Sequence, residues 1–260
     1  MVMRLAFTDR GIGPVVVPLH GFPLSRVMWA RQIEALSASY RVIAPDLRGH
    51  GESPVPDGVY TMESMADDVV ELLDRLGIDD PVALGGLSMG GYVALALALK
   101  HPNRVRALML LDTKAEADSP EAAEGREKSA KAVLEAGHPG SVVEAMIPKL
   151  FAEATIKENP GLVDSFRALM EKTSAAGVAG ALRGMAVRPD QTGRLGEIQV
   201  PSLVIVGEHD AITPPEGARA MAEALPESRF EVIPGAGHLA PCENPEAVNA
   251  VILKFLGGLG

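Results

Sequence analysis

Apolar residues gather in short runs at Val15–Leu19, 40–44, 82–85, Val105–Leu111, 203–206 and 229–233. Each run has the length of a strand, and several are apolar throughout instead of alternating, the pattern of strands covered on both faces. Between the runs the period changes to that of a helix. Over 61–76, Met62, Met65, Val69, Leu72, Leu73 and Leu76 share one side, with Thr61 placed to cap the start and Gly77 to end it. The stretch 92–99 also reads as a helix. Thr213-Pro214-Pro215-Glu216 has the form of a capping box, and Asn244-Pro245 precedes Val248, Val251, Ile252, Phe255 and Leu256. Strand and helix alternate, which predicts an α/β fold with a mostly parallel sheet and a ligand site beyond the carboxyl ends of its strands.

The alternation stops between 114 and 196. Helix starts stand at Ser119-Pro120, at Ser141-Val142-Val143-Glu144 and at Asn159-Pro160, followed by a glycine-interrupted segment over 174–187. No strand pattern is found there. The expected organisation is a core domain of 1–113 and 197–260 with a helical cap insertion of 114–196 over the strand ends, since a sheet interrupted by so long a segment must place it outside. The competing expectation is a helical subdomain with no part in the site.

Composition narrows the function classes. With 260 residues, 47% of them hydrophobic, the chain can bury the core of one α/β domain without staples. Its net charge of −10 and the lack of a Lys/Arg cluster argue against a nucleic-acid partner. No apolar stretch approaches a bilayer span, so no membrane partner is expected either. Cys242 is the single cysteine, which excludes an intrachain disulfide and is compatible with a reducing compartment. The first ten residues lack the pattern of a secretory leader, and a cytoplasmic location is the expectation.

The candidate chemistry starts at Gly86-Leu87-Ser88-Met89-Gly90, a G-x-S-x-G turn between an apolar run and a helix. The glycines let the serine backbone bend sharply and lift its hydroxyl clear of the sheet. The plainer alternative is a serine that caps a helix. A serine nucleophile requires a base, and the base an acid that holds its tautomer. His238 follows the last strand-like run through Pro234-Gly235-Ala236-Gly237 and is the candidate base. Asp210, at the end of Val204-Ile205-Val206-Gly207-Glu208-His209-Asp210, is the preferred acid; Asp112, which also follows a strand, and Glu208 are its rivals. The backbone N–H groups of Met89, after the nucleophile, and of Phe22, in the loop His20-Gly21-Phe22-Pro23, are the expected oxyanion donors. His20 is expected to brace that loop from beneath.

These residues resemble the α/β-hydrolase superfamily, with matches from His20 to His238. The turn Asp46-Leu47-Arg48-Gly49-His50-Gly51-Glu52-Ser53 is similar to the family's D-x-R-G-x-G-x-S segment, in which Arg48 and His50 set shape. The resemblance implies an eight-stranded, mostly parallel sheet with helices on both faces and a variable helical cap. It makes Ser88 the nucleophile, His238 the base, Asp210 the acid, and Phe22 with Met89 the oxyanion hole. Relatives that cleave carbon–halogen bonds or epoxides carry aspartate at the elbow, so serine points to acyl transfer. Within the serine branch the elbow is similar to 3-oxoadipate enol-lactonases, and His20-Gly21-Phe22-Pro23-Leu24-Ser25 to cofactor-free haloperoxidases and arylesterases, which usually have Phe where Leu87 stands and Trp where Phe22 stands.

The resemblance implies a serine carboxylesterase acting on a small-molecule ester, short to medium in chain or aryl, through an acyl-enzyme. No metal or organic cofactor is implied. The alternatives are a cofactor-free perhydrolase or haloperoxidase, an enol-lactone hydrolase, and a non-catalytic ligand receptor on the same scaffold. Leu134, Met146, Ile147, Phe151 and Phe166 of the cap are candidates for an apolar substrate pocket, with helix-core packing as their competing role.

Overall fold

The computed structural model describes residues 3–259. Seven strands form one sheet: β1 (Phe7–Arg10), β2 (Val15–Leu19), β3 (Arg41–Pro45), β4 (Val82–Leu87), β5 (Val105–Leu111), β6 (Ser202–Gly207) and β7 (Ser228–Ile233). Their order is β1-β3-β2-β4-β5-β6-β7, with β1 antiparallel to β3 and every other pair parallel. The described sheet therefore has one strand fewer than the eight expected. The chain ahead of β1 is held otherwise: Ser53 Oγ accepts from the Ala6 amide at 2.9 Å, and the Ala6 carbonyl accepts from the Asp46 amide at 2.8 Å.

The apolar runs supply both faces of the sheet. Val17, Leu19, Leu84, Leu108, Leu110, Val204 and Val206 pack to one side. Val16, Ala83, Leu87, Met109, Leu111, Leu203 and Ile205 pack to the other. Side chains alternate between faces at every residue, so a strand buried on both must be apolar at nearly every position. Each fully buried Leu or Ile contributes about 1.5–3 kcal/mol by leaving water.

Helices α1 (Ala30–Leu36) and α11 (Pro245–Gly257) cover the second face, with the four-residue α10 (Ala240–Glu243) just before α11. The first is covered by α2 (Met62–Arg75), α3 (Met89–Lys100) and α9 (Pro215–Ala224). Thr61 caps α2 as expected, its Oγ1 accepting from the Ser64 amide at 3.1 Å. Between β5 and β6 lie α4 (Pro120–Ala136), α5 (Gly140–Leu150), α6 (Glu153–Glu158), α7 (Pro160–Glu171) and α8 (Ala175–Ala186). The side chains of Ser119, Asn159 and Ser174 cap α4, α7 and α8.

The glycines of 174–187 do not interrupt a helix. They line the face of α8 that meets the body. A Cβ on Gly177 would lie 2.0 Å from the Gly49 carbonyl oxygen, and one on Gly184 1.6 Å from that of Tyr60. One on Gly180 would enter the Tyr60 ring at 2.5 Å, and the Tyr60 amide donates to the Gly180 carbonyl at 3.0 Å.

Register levels the carboxyl ends of the strands. Leu19 lies opposite Gly86, Leu87 opposite Leu111, Leu111 opposite Ile205, and Gly207 opposite Ile233. The loops that begin at His20, Ser88, Asp112, Glu208 and Pro234 consequently open on one edge of the sheet. None of the helices among the described residues is long and apolar enough to cross a membrane.

Candidate active site

Ser88 sits between β4 and α3 with φ 53° and ψ −115°, a left-handed backbone that costs a non-glycine residue about 1–3 kcal/mol. The surroundings hold it there. Its amide donates to the Leu111 carbonyl at 3.0 Å, and its carbonyl accepts from the Gly91 and Tyr92 amides and from Thr113 Oγ1 at 2.8 Å. The flanking glycines make the bend possible: a Cβ on Gly86 would stand 2.1 Å from the Gly90 carbonyl oxygen, and one on Gly90 2.3 Å from that of Leu19. From 82 to 98 every residue is buried except Ser88. One serine thus stands between a buried strand and the buried first turns of a helix.

The loop after β2 runs directly beside it. A Cβ on Gly21 would lie 3.6 Å from that of Ser88 and 2.7 Å from Leu87 Cδ2, so any larger residue here would have to displace the Leu87 side chain. Among the described residues neither the Phe22 nor the Met89 amide donates a hydrogen bond to the protein. Met89 opens α3, where a helix leaves its first N–H groups without internal acceptors. His20 fixes the loop from beneath: its Nε2 accepts from the Leu47 amide at 2.9 Å, so Nδ1 carries the proton and donates to the Gly21 carbonyl at 2.8 Å. Burial lowers its pKa to about 4, and it stays neutral. His50, its Nδ1 on the Arg48 carbonyl at 3.0 Å, sets its ring against those of His20 and Phe22. Arg48 clamps α2 through Asp68. The turn 46–53 is a brace for the loop that carries Phe22.

Past the next two strand ends, Asp112 Oδ1 accepts from the Gly207 amide at 2.7 Å, and the Asp210 amide donates to the Gly207 carbonyl at 3.1 Å. The His209 amide donates to the Ala236 carbonyl at 2.8 Å, tying the loop of Asp210 to that of His238. His238 Nδ1 meets Asp210 Oδ2 at 2.8 Å, with the two side chains 2% and 0% exposed. Asp210 is also held by the Ile212 amide at 2.8 Å and the Thr213 amide at 3.0 Å, both on Oδ1, and by Thr213 Oγ1 on Oδ2 at 2.6 Å. Burial pushes this carboxyl up, but the hydrogen bonds from His238 and Thr213 and the imidazole beside it outweigh that, and its pKa ends below the usual carboxylate value. A carboxylate on Nδ1 leaves Nε2 as the free face of the ring.

Of the three candidate acids, Asp210 is the one bonded to His238. Asp112 bridges strand ends, and Glu208 accepts from the Gly235 amide at 2.9 Å. No hydrogen bond joins Ser88 Oγ to His238 among the described residues. In substrate-free sites that contact is often long and closes in the complex. Thr213 is the participant that sequence reasoning missed. Its position reads as a capping box, but α9 starts at Pro215 with no side-chain cap, and the hydroxyl serves Asp210 instead.

A cleft of about 660 Å³ opens between α4, α5 and α8, with Phe22, Met146, Leu182 and Ile212 in its lining. Of the cap candidates, Met146 lines it. Leu134 is 44% exposed and lies outside its lining, and Ile147, Phe151 and Phe166 are buried in the core, the two rings edge to face at 5.8 Å. Among the described residues no group of three or more His, Cys, Asp or Glu side chains is arranged to hold a metal ion.

Comparison with known proteins identifies the family of the fold. A family model described as alpha/beta hydrolase fold matches residues 14–245. A thermophilic esterase from Thermogutta terrifontis, solved with malate bound, is similar at 49% identity with a TM-score of 0.97, covering 99% of this chain and 94% of that one. The enol-lactonase from Burkholderia xenovorans LB400 is 30% identical with a TM-score of 0.90, over 98% of this chain and 97% of that one. 3-Oxoadipate enol-lactonase 2 of Acinetobacter baylyi is 32% identical, over 88% of this chain and 84% of the relative.

Proposed function

Because the chain belongs to the α/β-hydrolase superfamily, we propose that it is a serine hydrolase of carboxylic esters in which Ser88 is the nucleophile, His238 the base and Asp210 the acid. One observation carries the reading: a serine strained into the elbow, the one residue of 82–98 that is not buried, shares its strand-end edge with a histidine whose Nδ1 is fixed by a buried carboxylate. Ser88 Oγ attacks the ester carbonyl while His238 Nε2 takes its proton, and Asp210 stabilises the imidazolium. The free amides of Phe22 and Met89 receive the tetrahedral oxyanion. His238 then protonates the departing alcohol. Water, deprotonated by the same imidazole, attacks the acyl-enzyme and restores the serine.

The small-molecule ester is the proposed partner, and an enol-lactone is the second reading, favoured by the likeness to two enol-lactonases. In a lactone the leaving oxygen remains tethered to the acyl group, so the same residues open the ring. A panel of p-nitrophenyl esters of increasing chain length, assayed beside an enol-lactone, ranks the two. Ser88→Ala should lower kcat on the best of them by about 10⁴-fold or more, because the triad acts as a unit. Near-native turnover in that variant would refute the assignment. Peracid formation from acetate and peroxide, compared with the Ser88→Ala background, tests the perhydrolase alternative in the same preparation.

A further inference from the structure

The cleft is charged against the trend of the molecule. The chain carries a net charge of −10, yet Arg126, Lys128 and Lys149 line the cleft and no Asp or Glu does. Lys128 leans on Glu124 at 2.7 Å, whereas Lys149 has no ion-pair partner among the described residues. Both lysines are ordinary surface cations. Arg126 is different.

Its guanidinium is built into a cluster with too few acids. Asp118, 3% exposed, pairs with Nε of Arg126 and, at 2.9 Å, with Nη1 of Arg188, so a single carboxylate serves two guanidinium groups. Arg188 is buried, donating to the Met185 and Glu116 carbonyls at 2.9 Å and lying 4.2 Å over the Tyr92 ring, with its Nε left without a partner among the described residues. Tyr92 stands one turn into α3 from Ser88, which puts the cluster against the elbow helix. Of the two guanidinium groups only Arg126 lines the cleft; its Nη2 reaches Asp118 Oδ1 at 3.4 Å, and its Nη1 faces only the thioether sulfur of Met185 at 3.5 Å, a weak acceptor. A partly buried guanidinium with free N–H groups and no second acid is oriented for a planar anion.

We propose that this cleft is a carboxylate-recognising substrate pocket, in which Arg126, oriented by Asp118 and backed by Arg188, holds the free acid of a dicarboxylic half-ester or a carboxylate-bearing lactone. The proposal rests on Ser88 being the nucleophile, since it assigns the part of the substrate remote from the scissile carbonyl. Met146 and Leu182 contact the methylene chain between the two ends, and the lysines at the opening draw the anion in. The acid end contributes binding; bond cleavage stays with the triad.

The test uses a matched pair: mono-4-nitrophenyl glutarate, which ends in a carboxylate, and 4-nitrophenyl pentanoate, which ends in a methyl. The intact protein should prefer the charged ester. In Arg126→Gln the ratio of kcat/KM values, charged over neutral, should fall at least fivefold, mainly through KM, and Arg126→Lys should recover part of it. A smaller fall overturns the pocket. Calorimetric titration with glutarate separates this result from the nucleophile assignment: Arg126→Gln should weaken Kd at least fivefold, while Ser88→Ala should bind like the parent. Binding indifferent to Arg126→Gln overturns the pocket alone. Undiminished hydrolysis in Ser88→Ala overturns the nucleophile alone.

Discussion

Asp112 and Asp210 stand at neighbouring strand ends, both buried, and chemistry divides them. Asp210 receives the two backbone amides of its own loop, the Thr213 hydroxyl and the His238 ring, and its pKa is lowered. Asp112 receives one, the Gly207 amide, and its Oδ2 has no hydrogen-bond partner among the described residues. Burial, with the charge of Asp210 added, raises the Asp112 pKa well above the ordinary value and favours the protonated acid. Strand-end position is the same for both, so position alone does not single out the carboxylate we propose as the acid. The donors gathered around it do.

That contrast can be attacked at either member. Asp210→Asn should reduce ester turnover about 10³–10⁴-fold with the fold retained, because an amide can present an N–H to His238 and favour the wrong tautomer. Steady-state rates alongside circular dichroism check this, and a loss under tenfold would move the acid elsewhere. Thr213→Val takes one donor from Asp210 while keeping shape. A roughly tenfold fall in kcat with KM held is expected, together with a shift in the pH–rate profile as Asp210 loses a partner. An unchanged profile would reduce Thr213 to a packing residue.

Asp112→Asn should have the smallest effect, under about threefold on kcat. Its stability signature is a matter of sign. The folded pKa of Asp112 lies above the unfolded one, so folding takes up a proton at pH values between them, and the parent loses stability as pH rises through that window. Asn has no such loss. The variant should therefore gain on the parent from about pH 4 upward, by at most about 1.4 kcal/mol per pH unit. Denaturant melts across pH 4–7 measure it, and a flat difference would show that Asp112 is ionised in the fold.

The apolar runs marked six of the seven strands: five are covered on both faces, and β7, at the sheet edge and largely exposed, was marked by Phe230, Val232 and Ile233. β1 escaped because only Phe7 of its Phe-Thr-Asp-Arg is apolar; it is set by register with β3 and by the Asp9 to Arg41 ion pair at 2.7 Å. The elbow was legible because its geometry demands glycine at named offsets. Thr213 was not, since a hydroxyl before two prolines has the same local sequence whether it caps a helix or bonds a carboxylate three residues back. The cap was least legible in chemistry. Apolar residues there fit a pocket or a core equally well by pattern, and Ile147, Phe151 and Phe166 lie in the core. The charged side of α4 looks like any solvated helix face until Asp118 is seen shared between Arg126 and Arg188.

The glycine face of α8 governs how the roof can move. With Gly177 against Gly49 and Gly184 against Tyr60 at backbone distance, that end of the cap is welded to the body, and no hinge can be placed there without first parting two main chains. The cleft lined by α4 and α5 is open with that contact intact. On the proposed reading, a substrate enters by that cleft with α8 kept in place.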